Sequence, residues 1–239
     1  NPAMMSGALG ILMEPFQKDR KPKQNHAACA VTELPELMAT IHQYDSMSAR
    51  ACEFAILTAA RSQAVRLARW EEIDLDNSVW VIPLEHDKIK TPNRDRTIFL
   101  SSQAKKLLKQ LIRFAESPYV FPSSHGSHFS DVALTMFLRG LHEKRLAQDG
   151  VGWVDPIKSA KLKKPCVITL HGTARATFRT WAKDDEIGNN RRFDQEAVEF
   201  CLLHSRNDAY NGAYDRAPLA KERHAIMEAW GKYAYSKIL

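Results

Sequence analysis

Near the end of the chain a histidine, in Leu203-His204, is followed ten residues later by a tyrosine, in Ala213-Tyr214-Asp215-Arg216. Two basic clusters lie upstream, Ala60-Arg61-Ser62 and His171-Gly172-Thr173-Ala174-Arg175. Widely spaced Arg, His, Arg, His and Tyr make neither the tight ligand set of a metal site nor a carboxylate pair for acid–base work. They suit one task, in which basic groups surround a phosphodiester while a phenol attacks it.

Each member also has a plainer reading. Arg61 follows the apolar run Ile56-Leu57-Thr58-Ala59-Ala60, inside a segment, 51–67, whose spacing predicts helix with one polar interruption. A guanidinium there needs an anion or a buried carboxylate, so a structural ion pair competes with a phosphate ligand. Gly172-Thr173 predicts a helix start, where a positive helix end favours an anion; a capping turn with surface His and Arg is the alternative. Tyr210 lies four residues before Tyr214 and shares a helical face with it, so one of the two is a candidate packing aromatic. His125 and His128 sit among Ser123, Ser124, Gly126 and Ser127, which reads as a loop and not as a metal site.

Those residues need a scaffold, and composition sets its class. At 239 residues, with 44% hydrophobic and 26% charged side chains, the chain is expected to bury a core as one large domain, or one domain plus a remnant of another. The net charge of +6 points toward nucleic acid or another polyanion. Cys29, Cys52, Cys166 and Cys201 lack paired spacing, which argues against a zinc knuckle or disulfide framework and for a reducing cytosol. No apolar run is long enough for a membrane helix, and Asn1-Pro2-Ala3-Met4-Met5 has neither the pattern of a signal peptide nor an initiator methionine in first place, so a cytoplasmic fragment is expected.

Gln17 to Asn25 is basic, without a large apolar residue, and reads as linker. Thr32 is the expected N-cap of a first helix carrying Leu34, Leu37, Met38 and Ile41. Ser78–Ile82 and Thr97–Leu100 are strand-like, with a turn at Asp76-Asn77 and a basic loop, 86–96, between them that holds Lys88, Lys90, Arg94 and Arg96. Helices are expected at 104–114, 130–146, 174–181, 195–204 and 221–235, and a long exposed loop at 147–166. The fold class is therefore α+β, mostly helical, with a small three-stranded antiparallel sheet.

In order, these stretches resemble the catalytic domain of tyrosine site-specific recombinases, in particular the integrases of temperate phages and genomic islands. The resemblance runs from about Thr32 to Trp230. It is carried by Leu57-Thr58-Ala59-Ala60-Arg61, by 68–76 (Ala-Arg-Trp-Glu-Glu-Ile-Asp-Leu-Asp), by Arg175-Ala176-Thr177-Phe178-Arg179-Thr180-Trp181, by Ala213-Tyr214-Asp215-Arg216 and by Met227-Glu228-Ala229-Trp230.

What the resemblance implies is specific. Arg61 and Arg175 match the two catalytic arginines, His171 and His204 the two histidines, and Tyr214 the nucleophile, with Tyr210 second. Lys90 matches the lysine of the hairpin loop, with Lys88 as its near alternative. Residues 1–16 are the remnant of a core DNA-binding domain, 17–31 a basic linker and 32–239 the catalytic domain. The implied activity is DNA integration through a 3′-phosphotyrosine, with double-stranded attachment sites as partner, a synaptic tetramer, no metal or other cofactor, and action on the bacterial nucleoid. A type IB topoisomerase-like enzyme and an inactive DNA-binding relative are the alternatives.

Two positions depart from the family pattern. Where the family places an acid three residues after the first arginine, this chain has Ala64. The family also spaces histidine and second arginine as HxxR, whereas three residues separate His171 from Arg175. In an α-helix one extra residue turns the pair by about 100°, so it is expected in a turn ahead of Arg175.

Overall fold

The computed structural model describes residues 25–87, 95–204 and 219–238. A 3₁₀ turn, Val31–Glu33, leads into helix α1, Leu34–His42, with Pro35 in its first turn. Thr32 thus lies inside the turn and does not cap α1, whose N-terminus has no side-chain cap. Helix α2, Met47–Leu57, is capped by Ser46, whose hydroxyl accepts from the Ala49 N–H. It is buried along nearly its whole length, from Ala49 to Leu57, and forms the central post of the domain.

A carboxylate inside that post, Glu53, is tolerated because it is surrounded by partners. Arg50 lies 2.6 Å away, His42 2.8 Å, and the Tyr235 hydroxyl donates at 3.1 Å. Burial still pushes the Glu53 carboxyl above its usual range, against the pull of Arg50 and His42.

The segment expected to be one helix over 51–67 is two. The Thr58 hydroxyl folds back to the Phe54 carbonyl at 2.6 Å, and Ala59 takes a left-handed φ of 50°. Helix α3, Ser62–Leu67, starts afresh after an extended Arg61. The polar interruption visible in the sequence is therefore a corner, and Arg61 stands on it.

Strands β1, Ile73–Asp74, β2, Val79–Val81, and β3, Thr97–Phe99, form an antiparallel sheet in the order β1-β2-β3. The register pairs Ile73 with Trp80 and Trp80 with Ile98. Trp80 is fully buried against Phe54, with ring centroids 5.2 Å apart, and its indole N–H donates to Glu72 at 2.9 Å. The expected fold class, mostly helical with a three-stranded antiparallel sheet, is what the structure shows.

Helices α4, Ser102–Gln110, and α5, Ala133–Asp149, pack on α2. The stretch 147–166, expected to be an exposed loop, contains helix α6, Pro156–Leu162. Asp155 caps it, Pro156 occupies its first turn, and neighbouring Trp153 is buried. Cap plus proline is a helix-start signal that the glycines and lysines of this stretch obscured.

A π-helical segment, Gly172–Thr177, runs into helix α7, Phe178–Trp181. Helix α8, Gln195–Cys201, and the terminal helix α9, Ala220–Ala234, close the domain. The apolar stripe on α9 is turned inward. Ile226, Met227 and Trp230 are buried, Trp230 clusters with Phe178 and Trp181, and its indole donates to the Ile56 carbonyl at 2.7 Å.

Candidate active site

Arg175 is nine-tenths buried and points at the corner between α2 and α3. One Nη donates to the Ala59 carbonyl at 3.0 Å, the other to the Leu202 carbonyl at 2.8 Å. A planar fork held by two carbonyl dipoles has little freedom to rotate. The same Nη2 also lies 2.8 Å from Nε2 of His204.

His204 reaches that position through the end of α8. Leu203 has a left-handed φ of 52°, its N–H bonds the Phe200 carbonyl, and the His204 N–H bonds the Glu199 carbonyl. That pair of bonds is a Schellman closure, with leucine where glycine is usual. The buried Leu203 side chain explains the exchange, because core packing offsets the left-handed strain. The turn lays the imidazole over Glu199, whose Oε2 is 2.6 Å from Nδ1. Oε1 of the same carboxylate accepts from Nε of Arg179 at 2.6 Å.

The tautomer follows from these contacts. A guanidinium can only donate, so Nε2 accepts from Arg175, and the ring proton sits on Nδ1 facing Glu199. Burial lowers the His204 pKa, and the charges of Arg175 and Arg61 act in the same direction, against the Glu199 hydrogen bond. Burial would raise Glu199, but its bonds to His204 and Arg179 prevail and hold it below the usual carboxylate range.

Arg61, on its corner, has a carboxylate partner. Nη1 is 3.6 Å from Oδ1 of Asp87, an ion pair longer than a hydrogen bond, with both side chains largely buried. Ala64, where the family pattern places its acid, is buried in α3. The acid near Arg61 comes instead from the hairpin. Asp87 immediately precedes 88–94, and its neighbour His86 is 2.7 Å from Glu72. On the far side of 88–94, Asp95 lies 2.5 Å from the buried Arg223, and Nε of Arg96 donates to the Ile82 carbonyl. Both stems of the basic loop are thus fixed to the body of the domain. Lys90 and Lys88 lie within 88–94, and Tyr210 and Tyr214 within 205–218, outside the described residues.

His171 ends the helical turn that leads into the π segment, and its ring sits 4.5 Å from that of His26. The extra residue between His171 and Arg175 is therefore taken up inside the helix and not in a turn ahead of it. An i→i+5 turn holds one residue more than an α turn, which absorbs an insertion without the 100° rotation of about one residue. The incoming chain braces this segment. Ala27 accepts from the Thr169 N–H at 2.9 Å, the Cys29 N–H donates to the Thr173 hydroxyl, and the Thr177 hydroxyl donates to the Cys29 carbonyl at 2.7 Å. Gly172 is required by that approach, since a Cβ there would lie 2.0 Å from the Ala27 carbonyl oxygen. Ala27, Cys29 and Val31, upstream of Thr32, are buried in this packing.

Arg61, Arg175 and His204, from three distant parts of the chain, therefore share one basic neighbourhood beside the α2–α3 corner. Residues 30–163 match the phage integrase family. The chain belongs to that family. The integrase of Enterobacteria phage P4 is 25% identical over 223 residues, covering 88% of this chain and 46% of that protein. Prophage integrase IntZ of Escherichia coli K12 is 28% identical over 214 residues, covering 88% and 45%. The chain spans about half the length of these curated relatives.

Two solved structures share the fold. The Tn1549 transposon integrase in complex with circular intermediate DNA superposes with a TM-score of 0.58 at 14% identity, over 92% of this chain and 76% of that one. A lambda integrase dimer bound to a COC′ core site gives 0.53 at 14% identity, over 84% and 51%.

The site contains three side chains that sequence reasoning did not single out: Asp87, Glu199 and Arg179. Asp87 lies within the basic loop, 86–96, which was its only signal. Glu199 faces His204 only because a leucine adopts the left-handed region, and no sequence pattern announces that.

Proposed function

We propose that this chain is the catalytic domain of a phage or genomic-island integrase, cleaving and rejoining DNA through a 3′-phosphotyrosine. The observation that carries the proposal is the contact of Arg175 with His204, anchored to the corner that bears Arg61 and placed ten residues before Tyr214.

In this reading the two guanidinium forks hold the non-bridging oxygens of the scissile phosphate, and His204 adds a hydrogen bond. The Tyr214 oxygen attacks phosphorus as the bond to the 5′-oxygen breaks. Lys90 protonates that leaving oxygen, and His171 assists removal of the phenolic proton. A 5′-hydroxyl from the same or a partner duplex then reverses the step, so the phosphodiester is conserved and no energy cofactor is called for. Catalysis is positioning and charge stabilisation.

Residues 32–239 serve as the catalytic domain, with the buried stretch 27–31 packed against it, the residues before that stretch as a basic linker, and 1–16 as part of a core DNA-binding domain. The substrate is double-stranded attachment-site DNA, and four copies assemble at synapsis on the bacterial nucleoid in the cytoplasm. DNA affinity arises chiefly from Lys and Arg on phosphates and falls steeply with salt.

The test is a nicked suicide duplex carrying the element's own termini, incubated with the full-length protein and with Tyr214→Phe, then resolved on a denaturing gel. The expected result is a covalent adduct that disappears in Tyr214→Phe. Adduct without strand exchange would favour the topoisomerase-like alternative. A bound cognate site that yields no adduct would leave an inactive DNA-binding relative.

A further inference from the structure

His204 makes two contacts that pull its chemistry in opposite directions. Toward the basic neighbourhood, Nε2 accepts a hydrogen bond from Arg175 at 2.8 Å. Away from it, Nδ1 donates to Glu199 at 2.6 Å, and Arg179 clamps the other carboxylate oxygen at 2.6 Å. As an acceptor, the imidazole has nothing to offer an anion. To bind a phosphate oxygen, Nε2 has to carry a proton.

We propose that Glu199, clamped by Arg179, is a positioning residue that makes phosphate binding at His204 proton-linked. When a phosphate oxygen takes over the Arg175 Nη2–H, Nε2 loses its donor, takes one proton from solvent and donates it to the anion. Glu199 accepts the Nδ1–H in both states, so its negative charge faces the imidazolium once that forms. One N–H bond is made, one solvent proton is consumed, and no other reactant is needed. The inference rests on the recombinase reading above.

The surroundings of His204 support the direction of the switch. The charged groups facing it are Arg175 from the π segment, Arg61 from the α2–α3 corner and Glu199 from α8, with Arg179 of α7 behind Glu199. Without an anion, burial and the two arginines hold the ring neutral. A phosphate adds negative charge beside Nε2 and occupies both arginines, which removes part of that opposition. The carboxylate, kept ionised by Arg179 and His204, supplies the counter-charge.

The sign is fixed by linkage. A proton bound in the complex but not in the free protein makes affinity fall as pH rises, by up to about tenfold per pH unit for one proton. The window runs from the lowered free pKa of His204 up to its raised pKa in the complex. Filter binding of the full-length Tyr214→Phe protein to its site duplex, from mildly acid to mildly alkaline pH, measures this slope. Adding Glu199→Gln, which keeps an acceptor oxygen but removes the charge, is expected to flatten it above the ordinary imidazole range.

A second readout separates positioning from simple damage. In the Tyr214-intact protein, Glu199→Gln is expected to shift the pH profile of single-turnover adduct formation to lower pH, with much of the rate regained there. Arg179→Gln releases the outer clamp but leaves the carboxylate charge in place, and is expected to move the profile less. Equal binding slopes with and without Glu199, or a profile lowered at every pH without displacement, would overturn the proposal. A parent protein that forms no Tyr214-dependent adduct on a bound site would refute the recombinase reading itself, whatever the Glu199 variants do.

Discussion

The two arginines of the site are held in different ways. Arg175 donates to the carbonyls of Ala59 and Leu202 and to the imidazole of His204. Arg61 stands on an extended corner beside a carboxylate, Asp87, contributed by the hairpin. Dipoles fix a guanidinium without offsetting its charge, whereas a carboxylate fixes it at the cost of competing with an incoming anion. In the proposed reading, the Arg175 half is a rigid anion seat within the helical core. The Arg61 half couples that seat to the stem of the basic loop.

This contrast breaks most directly at Arg175. Arg175→Lys keeps the charge but loses the fork that spans two carbonyls and the imidazole. By analogy with a lost oxyanion donor, adduct formation is expected to fall about 10²–10³-fold, roughly 2.7–4 kcal/mol of transition-state stabilisation. Single-turnover assays on a suicide duplex measure this. A loss smaller than that from Asp87→Asn would dissolve the distinction between the two halves.

Asp87→Asn probes the other half. It removes a carboxylate charge 3.6 Å from the Arg61 guanidinium, a contact longer than a hydrogen bond, so adduct formation is expected to fall by less than in Arg175→Lys. The same assay reads it, and circular dichroism checks that the fold persists. An unchanged rate would mean that Arg61 does not depend on Asp87 for its orientation.

Gly172→Ala tests the brace beneath Arg175 and not its chemistry. The added Cβ meets the Ala27 carbonyl, a backbone atom that cannot swing aside, so overpacking of about 1–3 kcal/mol is expected as a lowered urea midpoint. The smallest stability effect is expected from Arg179→Ala. Its ion pair with Glu199 lies at the surface, where such pairs contribute about 0–1 kcal/mol. Its urea midpoint should barely move even though the pH profile of adduct formation does.

Much of this architecture is written in local patterns. The β-rich runs around Trp80 and Ile98 pair as expected, and the apolar stripe of α9 lies in the core because its spacing allows one buried face. The family phrases contain Arg61 and Arg175, the resemblance implied His204, and the three lie close together in the fold. Less legible was anything decided by backbone conformation. The corner before Arg61 depends on a left-handed Ala59, and the fold-back of His204 depends on a left-handed Leu203. Neither residue type signals that region. The π segment is hidden for the same reason, since 172–177 has no composition that separates an i→i+5 turn from an α turn. Asp87 and Glu199 entered the site through long-range or turn-dependent contacts, which spacing along the chain cannot reveal.

The central claim is that the basic cluster of Arg61, Arg175 and His204 presents a phosphodiester to Tyr214. It is tested most directly by isolating the covalent protein–DNA adduct, digesting it and identifying the DNA-bearing peptide by mass spectrometry. The expected product is a nucleotide attached through its 3′-phosphate to Tyr214. Attachment at Tyr210, at a residue other than tyrosine, or through a 5′-phosphate would contradict it.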